Sequence, residues 1–207
     1  MMVPMSADHD RADARARDLA EQWRTSVVLW WDDQRRARVL AGPGAEPLPG
    51  GSERVHVLTS QDPQGVTPTV EENARLLREL LAAATAGAAE ADARWRWWPA
   101  VGASAVDDHA EHGIAVAGLD RCAAARWGEE LDQLAIYEAT AEELRVVRCR
   151  DAVVTDVTAR SWPDDAPPVD LGPARLARWW APLAEALPEA RPGGSADGPG
   201  AGTPPRS

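Results

Sequence analysis

"VLTSQDPQGVTPTVEEN", residues 57–73, is the stretch on which the reading of this chain turns. It passes from a β-rich run, through a polar loop holding Pro63 and Gly65, straight into a helix start. Thr69 and Glu72 stand at capping-box spacing, where side chains satisfy the orphan N–H groups of a helix's first turn, and Glu71 and Glu72 complement the positive end of its dipole. Downstream, Val70, Ala74, Leu77, Leu81 and Ala84 recur at helical spacing and predict one apolar stripe on a helix over 69–86. Upstream, RVHVLTS (54–60) alternates, placing Val55, Val57 and Thr59 on one face of a strand and His56, Leu58 and Ser60 on the other.

Working outward, SVVLWW (26–31) and RARVLAG (36–42) flank a polar DDQRR and predict a hairpin. RWRWWPAV (94–101) and HGIAVAGL (112–119) read as two further strands. DRCAAARWG (120–128) reads as a short helix with Asp120 as N-cap and Gly128 as its stop. DQLAIYEA (132–139) and ELRVVRC (143–149) read as a last pair of strands. From residue 54 the order is strand, helix, strand, strand, helix, strand, strand. This predicts an α+β fold: an antiparallel sheet with two helices on one face, a ferredoxin-like βαββαβ core with an added N-terminal β-hairpin. Three regions follow: a charged N-terminal segment at 1–22, a single α+β domain at 23–162, and a Pro/Gly-rich tail at 163–207. The tail holds one short amphipathic helix over 174–187, which docks through Trp179 or Trp180, and its end is expected to be disordered.

Composition narrows the function classes. The chain has 207 residues and a net charge of -11, and every one of its 22 basic residues is Arg. Without Lys there is no Schiff-base chemistry and no Walker-type phosphate loop. The acidic balance argues against a nucleic-acid or anionic-membrane partner, since phosphate neutralisation needs a basic face. Cys122 and Cys149 form no metal spacing and are read as reduced core residues of a cytoplasmic protein. No apolar stretch approaches a membrane span or a signal-peptide core. With Phe absent and one Tyr, the aromatic core falls to tryptophan, with Trp23, Trp30, Trp95, Trp97 and Trp127 filling it.

Five polar residues at strand ends or a helix start are the candidate binding residues: Thr59, Asp62, Asn73, Glu111 and Gln133. Asn73 lies on the shoulder of the helix stripe, where its amide either ties down the 60–68 loop or contacts a ligand. DDHAEHG (107–113) is the densest titratable cluster; His109 and Glu111 share one face of an extended segment and His112 points the other way. That segment alone does not make a three-ligand metal site, so no metal ligand is assigned, and Glu111 is the catalytic candidate as an acid or base. Gln133 among apolar neighbours is either an edge hydrogen-bonder or a pocket group. The sequence specifies neither a cofactor nor a reaction. Two functions stay open: small-molecule binding in a pocket near the N-terminus of helix 69–86, and a protein-interaction or regulatory module whose surface would include exposed Trp98 and Trp179.

The runs VLTSQDPQG…EENARLLRELL, DDHAEHGIAVAGLDRCAAARWG and LDQLAIYEA…LRVVRC together resemble a bacterial family known as domain of unknown function 3293. The resemblance spans about residues 25–150. Its pattern falls on Thr59, Pro63, Glu72, Asn73, Glu111 and Gln133, and departs at Ser60, Gln61 and Asp62, where Ala, Trp and Asn are usual. The family has no assigned activity, so the resemblance implies a shared pocket without a reaction.

Overall fold

The computed structural model describes residues 26–63, 68–90, 94–105, 109–163, 166 and 168–187. The expectations for segment 1–22, for Trp23 and for the end of the tail fall outside these residues. Eight strands are present: β1 (Ser26–Trp31), β2 (Ala37–Ala41), β3 (Val55–Thr59), β4 (Arg96–Ser104), β5 (Ala110–Ala117), β6 (Ala135–Ala139), β7 (Glu143–Arg148) and β8 (Val154–Ala159). The helices are α1 (Val70–Ala88), α2 (Arg121–Glu130) and α3 (Pro173–Ala186). Among the described residues no helix is long and apolar enough to cross a membrane.

The strands form one antiparallel sheet in the order β2-β1-β4-β5-β3-β6-β7-β8. The α+β class stands, but the ferredoxin-like expectation needs correction. The four strands β4-β5-β3-β6 lie at the centre and do not form a layer of their own. The N-terminal hairpin joins through β1 to β4, while β7 and β8 extend the other side. β8 escaped the sequence reading because, as an edge strand, it exposes every second residue and its run VTDVTA carries little apolar signal.

Twist then curls this long sheet into a half-barrel. Its edges meet at one corner, where Gly42 bridges Ser161, the Gly42 N–H donates to the Arg160 carbonyl (2.9 Å) and the Trp162 N–H to the Gly42 carbonyl (3.1 Å). The buried Arg160 guanidinium spans the junction, donating to the carbonyls of Leu40 (3.0 Å) and Glu46 (2.6 Å) on one side and Ala141 (3.0 Å) on the other.

Alternation along the strands builds two cores. Val27, Leu29, Trp31, Leu58, Trp97, Val101, Ile114, Val116 and Ile136 pack with Leu77, Leu80, Leu81 and Ala84 of α1, Ala124 and Ala125 of α2, and Trp179 and Leu183 of α3. Three helices, not two, therefore share this cluster. Helix 173–186 is part of it, since Trp179 is buried and the Trp180 ring lies 5.2 Å from that of Trp31. On the inner, helix-free face Val28, Trp30, Leu40, Val57, Trp98, Ala115 and Leu144 form the second cluster, with Trp30 and Trp98 edge to face at 5.8 Å.

Local signals held in part. The Thr69 hydroxyl accepts the Glu72 N–H at 3.2 Å, and the Asp120 carboxylate accepts the Ala123 N–H at 2.8 Å. The stripe of α1 is rotated from its expected place: Val70 is 81% exposed, and Leu80 takes an inward position. Gly128 does not end α2, which runs on to Glu130. It is there for contact, because a Cβ would sit 2.7 Å from both Cys149 Sγ and Ile136 Cγ2. Of the two thiols, Cys149 is buried and Cys122 exposed, so the core assignment fails for Cys122.

Candidate functional site

At one end of the inner face the side chains become small. Ala100 and Gly102 on β4, Gly113 on β5 and Ala135 on β6 stand where Trp30, Trp98 and Leu40 fill the rest of that face, and a cavity of about 70 Å³ remains. Thr59, Asp62, Glu111 and Gln133 line it, together with Tyr137. Four of the five residues singled out in the sequence thus come together from the end of β3, the loop after it, the start of β5 and the loop before β6. At about 10–15 Å³ per water-sized probe, the space holds a few ordered waters or a ligand group of similar size.

Asn73 does not line the cavity. It stands on α1, across the sheet, and reaches round the edge to Asp62: the Asp62 N–H donates to Asn73 Oδ1 (3.3 Å) and Asn73 Nδ2 donates to Asp62 Oδ1 (3.2 Å). Of its two sequence readings, the loop tie is the one the geometry displays. No residue of α1 borders the cavity; the Asn73–Asp62 amide–carboxylate pair links the cavity wall to the first turn of that helix. Asp62 itself adopts φ of 49°, the left-handed conformation that Asp tolerates better than most residues.

The turn after β3 is fixed from several sides. Thr59 Oγ1 donates to the His112 carbonyl (2.9 Å) and accepts the Gln61 N–H (3.0 Å). The Gln61 side-chain oxygen accepts the His112 N–H, and Gln133 Nε2 donates to the Gln61 carbonyl (3.0 Å). His112 is buried on the helix side, where its Nε2 donates to the Trp179 carbonyl at 3.0 Å. Burial lowers its pKa, and the Trp179 carbonyl works against that shift. His112 therefore fastens α3 to β5 and has no place in the cavity.

His109 does belong with the cavity residues. As alternation implies, it shares a face with Glu111, and its Nε2 lies 3.4 Å from Glu111 Oε1. The loop after β3 brings Asp62 Oδ2 to 3.8 Å from the same nitrogen. The sequence reading missed this meeting because Asp62 and His109 lie far apart in the chain and only the β3–β5 register sets them side by side. Tyr137 stays a neutral phenol, because burial raises its pKa, with Glu111 adding to the shift and a Ser26 hydrogen bond opposing it.

A second polar cluster, also missed, lies on the helix side. Glu138 has no exposed side-chain surface and takes hydrogen bonds from Arg121 (2.7 and 2.9 Å) and Arg145 (2.9 Å), with His56 Nε2 at 3.2 Å. Burial alone would raise its pKa, but the Arg121 and Arg145 bonds outweigh it and lower the value to about 2. The signal was present as a His and a Glu at helix-facing positions of two strands, paired across the β3–β6 ladder.

Comparison with known proteins now bears on these residues. Residues 58–136 match the family model described as "Protein of unknown function (DUF3293)". No curated protein and no solved structure matches the chain. The DUF3293 segment runs from β3 into β6 and contains Thr59, Asp62, Asn73, His109, Glu111 and Gln133, so every polar group described around the cavity except Tyr137 falls inside it. The hairpin β1–β2, strands β7 and β8, and α3 lie outside the DUF3293 match.

Proposed function

We propose that this chain binds a small polar ligand in the inner cavity, through Thr59, Asp62, Glu111 and Gln133, with Asn73 holding Asp62 in place. The observation that carries the reading is the convergence of four polar side chains from separate segments on a surface that Gly102, Ala100 and Ala135 keep clear. Glu111 is the group that could give or take a proton there, since among the described residues its carboxylate pairs with no arginine, meets the exposed His109 and lies on the cavity wall. Trp98 and Trp179 are each 5% exposed, which favours the cavity over the interaction-module reading. The net charge of -11 supports a ligand other than nucleic acid or an anionic membrane, and the unpaired Cys122 and Cys149 suit the reducing cytoplasm.

Gly102→Leu tests the proposal. A Cβ at Gly102 would meet only Tyr137 Cε2, at 3.9 Å, so a leucine fills the cavity without striking backbone. In thermal-shift screening against small carboxylates, alcohols and amines, a compound that stabilises the natural protein is expected to leave Gly102→Leu unmoved. An equal shift in both proteins defeats the cavity reading. Glu111→Ala is expected to keep or raise the melting temperature while abolishing the ligand shift; a loss of about 1 kcal/mol or more would mark Glu111 as structural.

A further inference from the structure

Several carboxylates of this protein pair with arginine: Asp32 with Arg36 and Arg38, Glu46 with Arg38, Glu72 and Glu79 with Arg75, Asp151 with Arg148, and Glu138 with Arg121 and Arg145. Asp62 and Glu111 do not. Their oxygens and His109 Nε2 all lie within 4.8 Å of one another, and among the described residues His109 is the only basic side chain that meets either carboxylate. Two carboxylates held this close, one with only 10% of its side chain exposed, repel each other unless a cation stands between them.

We propose that Asp62, His109 and Glu111 bind one divalent first-row transition metal ion at the mouth of the cavity, with a coordination position open to the cavity interior. Geometry supports the assignment. Two ligands each about 2.1 Å from a tetrahedral ion lie about 3.4 Å apart, and His109 Nε2 stands 3.4 Å from Glu111 Oε1 and 3.8 Å from Asp62 Oδ2. One imidazole with two carboxylates suits zinc or manganese better than magnesium or calcium, which favour oxygen donors throughout. Asn73 Nδ2, bonded to Asp62 Oδ1, leaves Oδ2 turned toward His109 and acts as the outer support that metal-binding carboxylates usually have.

An independent observation comes from Gln133. Its side chain is nine-tenths buried and lines the cavity, and its Nε2 is fixed by the carbonyls of Gln61 (3.0 Å) and Leu131 (3.4 Å). Its Oε1 has no partner among the described residues. That acceptor is open to the cavity, where a water, or a water or hydroxyl ligand on a metal ion, can donate to it.

This proposal rests on the cavity reading only for its open position, and the two can fail separately. The full chain, stripped with a chelator, would be titrated with zinc and with manganese by calorimetry, with near-ultraviolet circular dichroism confirming that each variant folds. One ion per chain is expected. His109→Ala and Glu111→Gln should each weaken binding at least tenfold, and Asn73→Ala by about tenfold. No saturable binding to the natural protein, or binding within threefold of it in both His109→Ala and Glu111→Gln, overturns the metal site. Intact metal binding alongside ligand shifts that ignore Gly102→Leu would instead sink the cavity reading and leave the metal site standing.

Discussion

Glu138 shows how one buried carboxylate is kept charged. Desolvation favours its neutral form, yet Arg121, Arg145 and the more distant Arg54 surround it, and the fold holds its pKa at about 2 against an ordinary 4.5. A depressed carboxylate pKa contributes stability that is complete above the unfolded value and is lost as pH falls through the folded one. At about 1.4 kcal/mol per pKa unit, this amounts to about 3 kcal/mol, disappearing between pH 4.5 and about 2. His56 acts in a higher window. Burial lowers its pKa, with Glu138 opposing, so below its ordinary 6.5 the unfolded chain takes up a proton that the folded chain resists, and stability falls with acidification there too. Urea melts from pH 8 to 2 should therefore show a two-part decline, and Glu138→Gln should remove the lower part. That variant should also lose about 3–5 kcal/mol at pH 7, because three arginines lose their shared partner.

At the level of elements, the sequence named the right residues and sometimes gave them the wrong task. Asp120 and Thr69 cap as their spacing implies, because a cap is settled within one turn of chain. Thr69→Ala should cost about 1 kcal/mol in a denaturation curve. Gly128 carries the same residue type as a helix stop, but its reason lies 21 residues on, at Cys149, which local pattern cannot reveal. Gly128→Ala would gain about 1 kcal/mol in helix propensity and lose about 1–3 kcal/mol to overpacking. The measured melting temperature should fall; a rise would return Gly128 to the role of a simple stop. Asn73 was legible as a buried amide, yet whether it met a loop or a ligand depended on where Asp62 folds back.

Over the whole molecule, two devices hold the half-barrel. Arg160 joins its edges through carbonyls of Leu40, Glu46 and Ala141. Arg160→Met leaves those acceptors without their donors, at about 1–3 kcal/mol for each that stays buried, so chemical denaturation should show a loss of about 3 kcal/mol or more. Lysine, with a single ammonium, should restore only part of it. The second device is α3. Ending the chain at Leu171 exposes the surface beneath Trp179 and Leu183 and removes the carbonyl that His112 bonds. Burial of two such side chains is worth about 3–6 kcal/mol, so the melting temperature should drop by about 6 °C or more. An unchanged value would mean that the domain closes before α3.

By itself the sequence determined the α+β class, seven of the eight strands, all three helices, and four polar residues that border one cavity. These are properties of local period and capping, and the chain carries them in neighbouring letters. Only the tertiary structure decided that the sheet has eight strands and curls, that Arg160 closes it, that Asn73 serves Asp62 from across the sheet, and that His109 joins Asp62 and Glu111. Most of these join positions tens of residues apart, and even Asn73 and Asp62, 11 apart, meet only once the intervening loop has folded back. Strand register and sheet curvature arise from the packing of the whole chain, and no local stretch holds enough information to specify them.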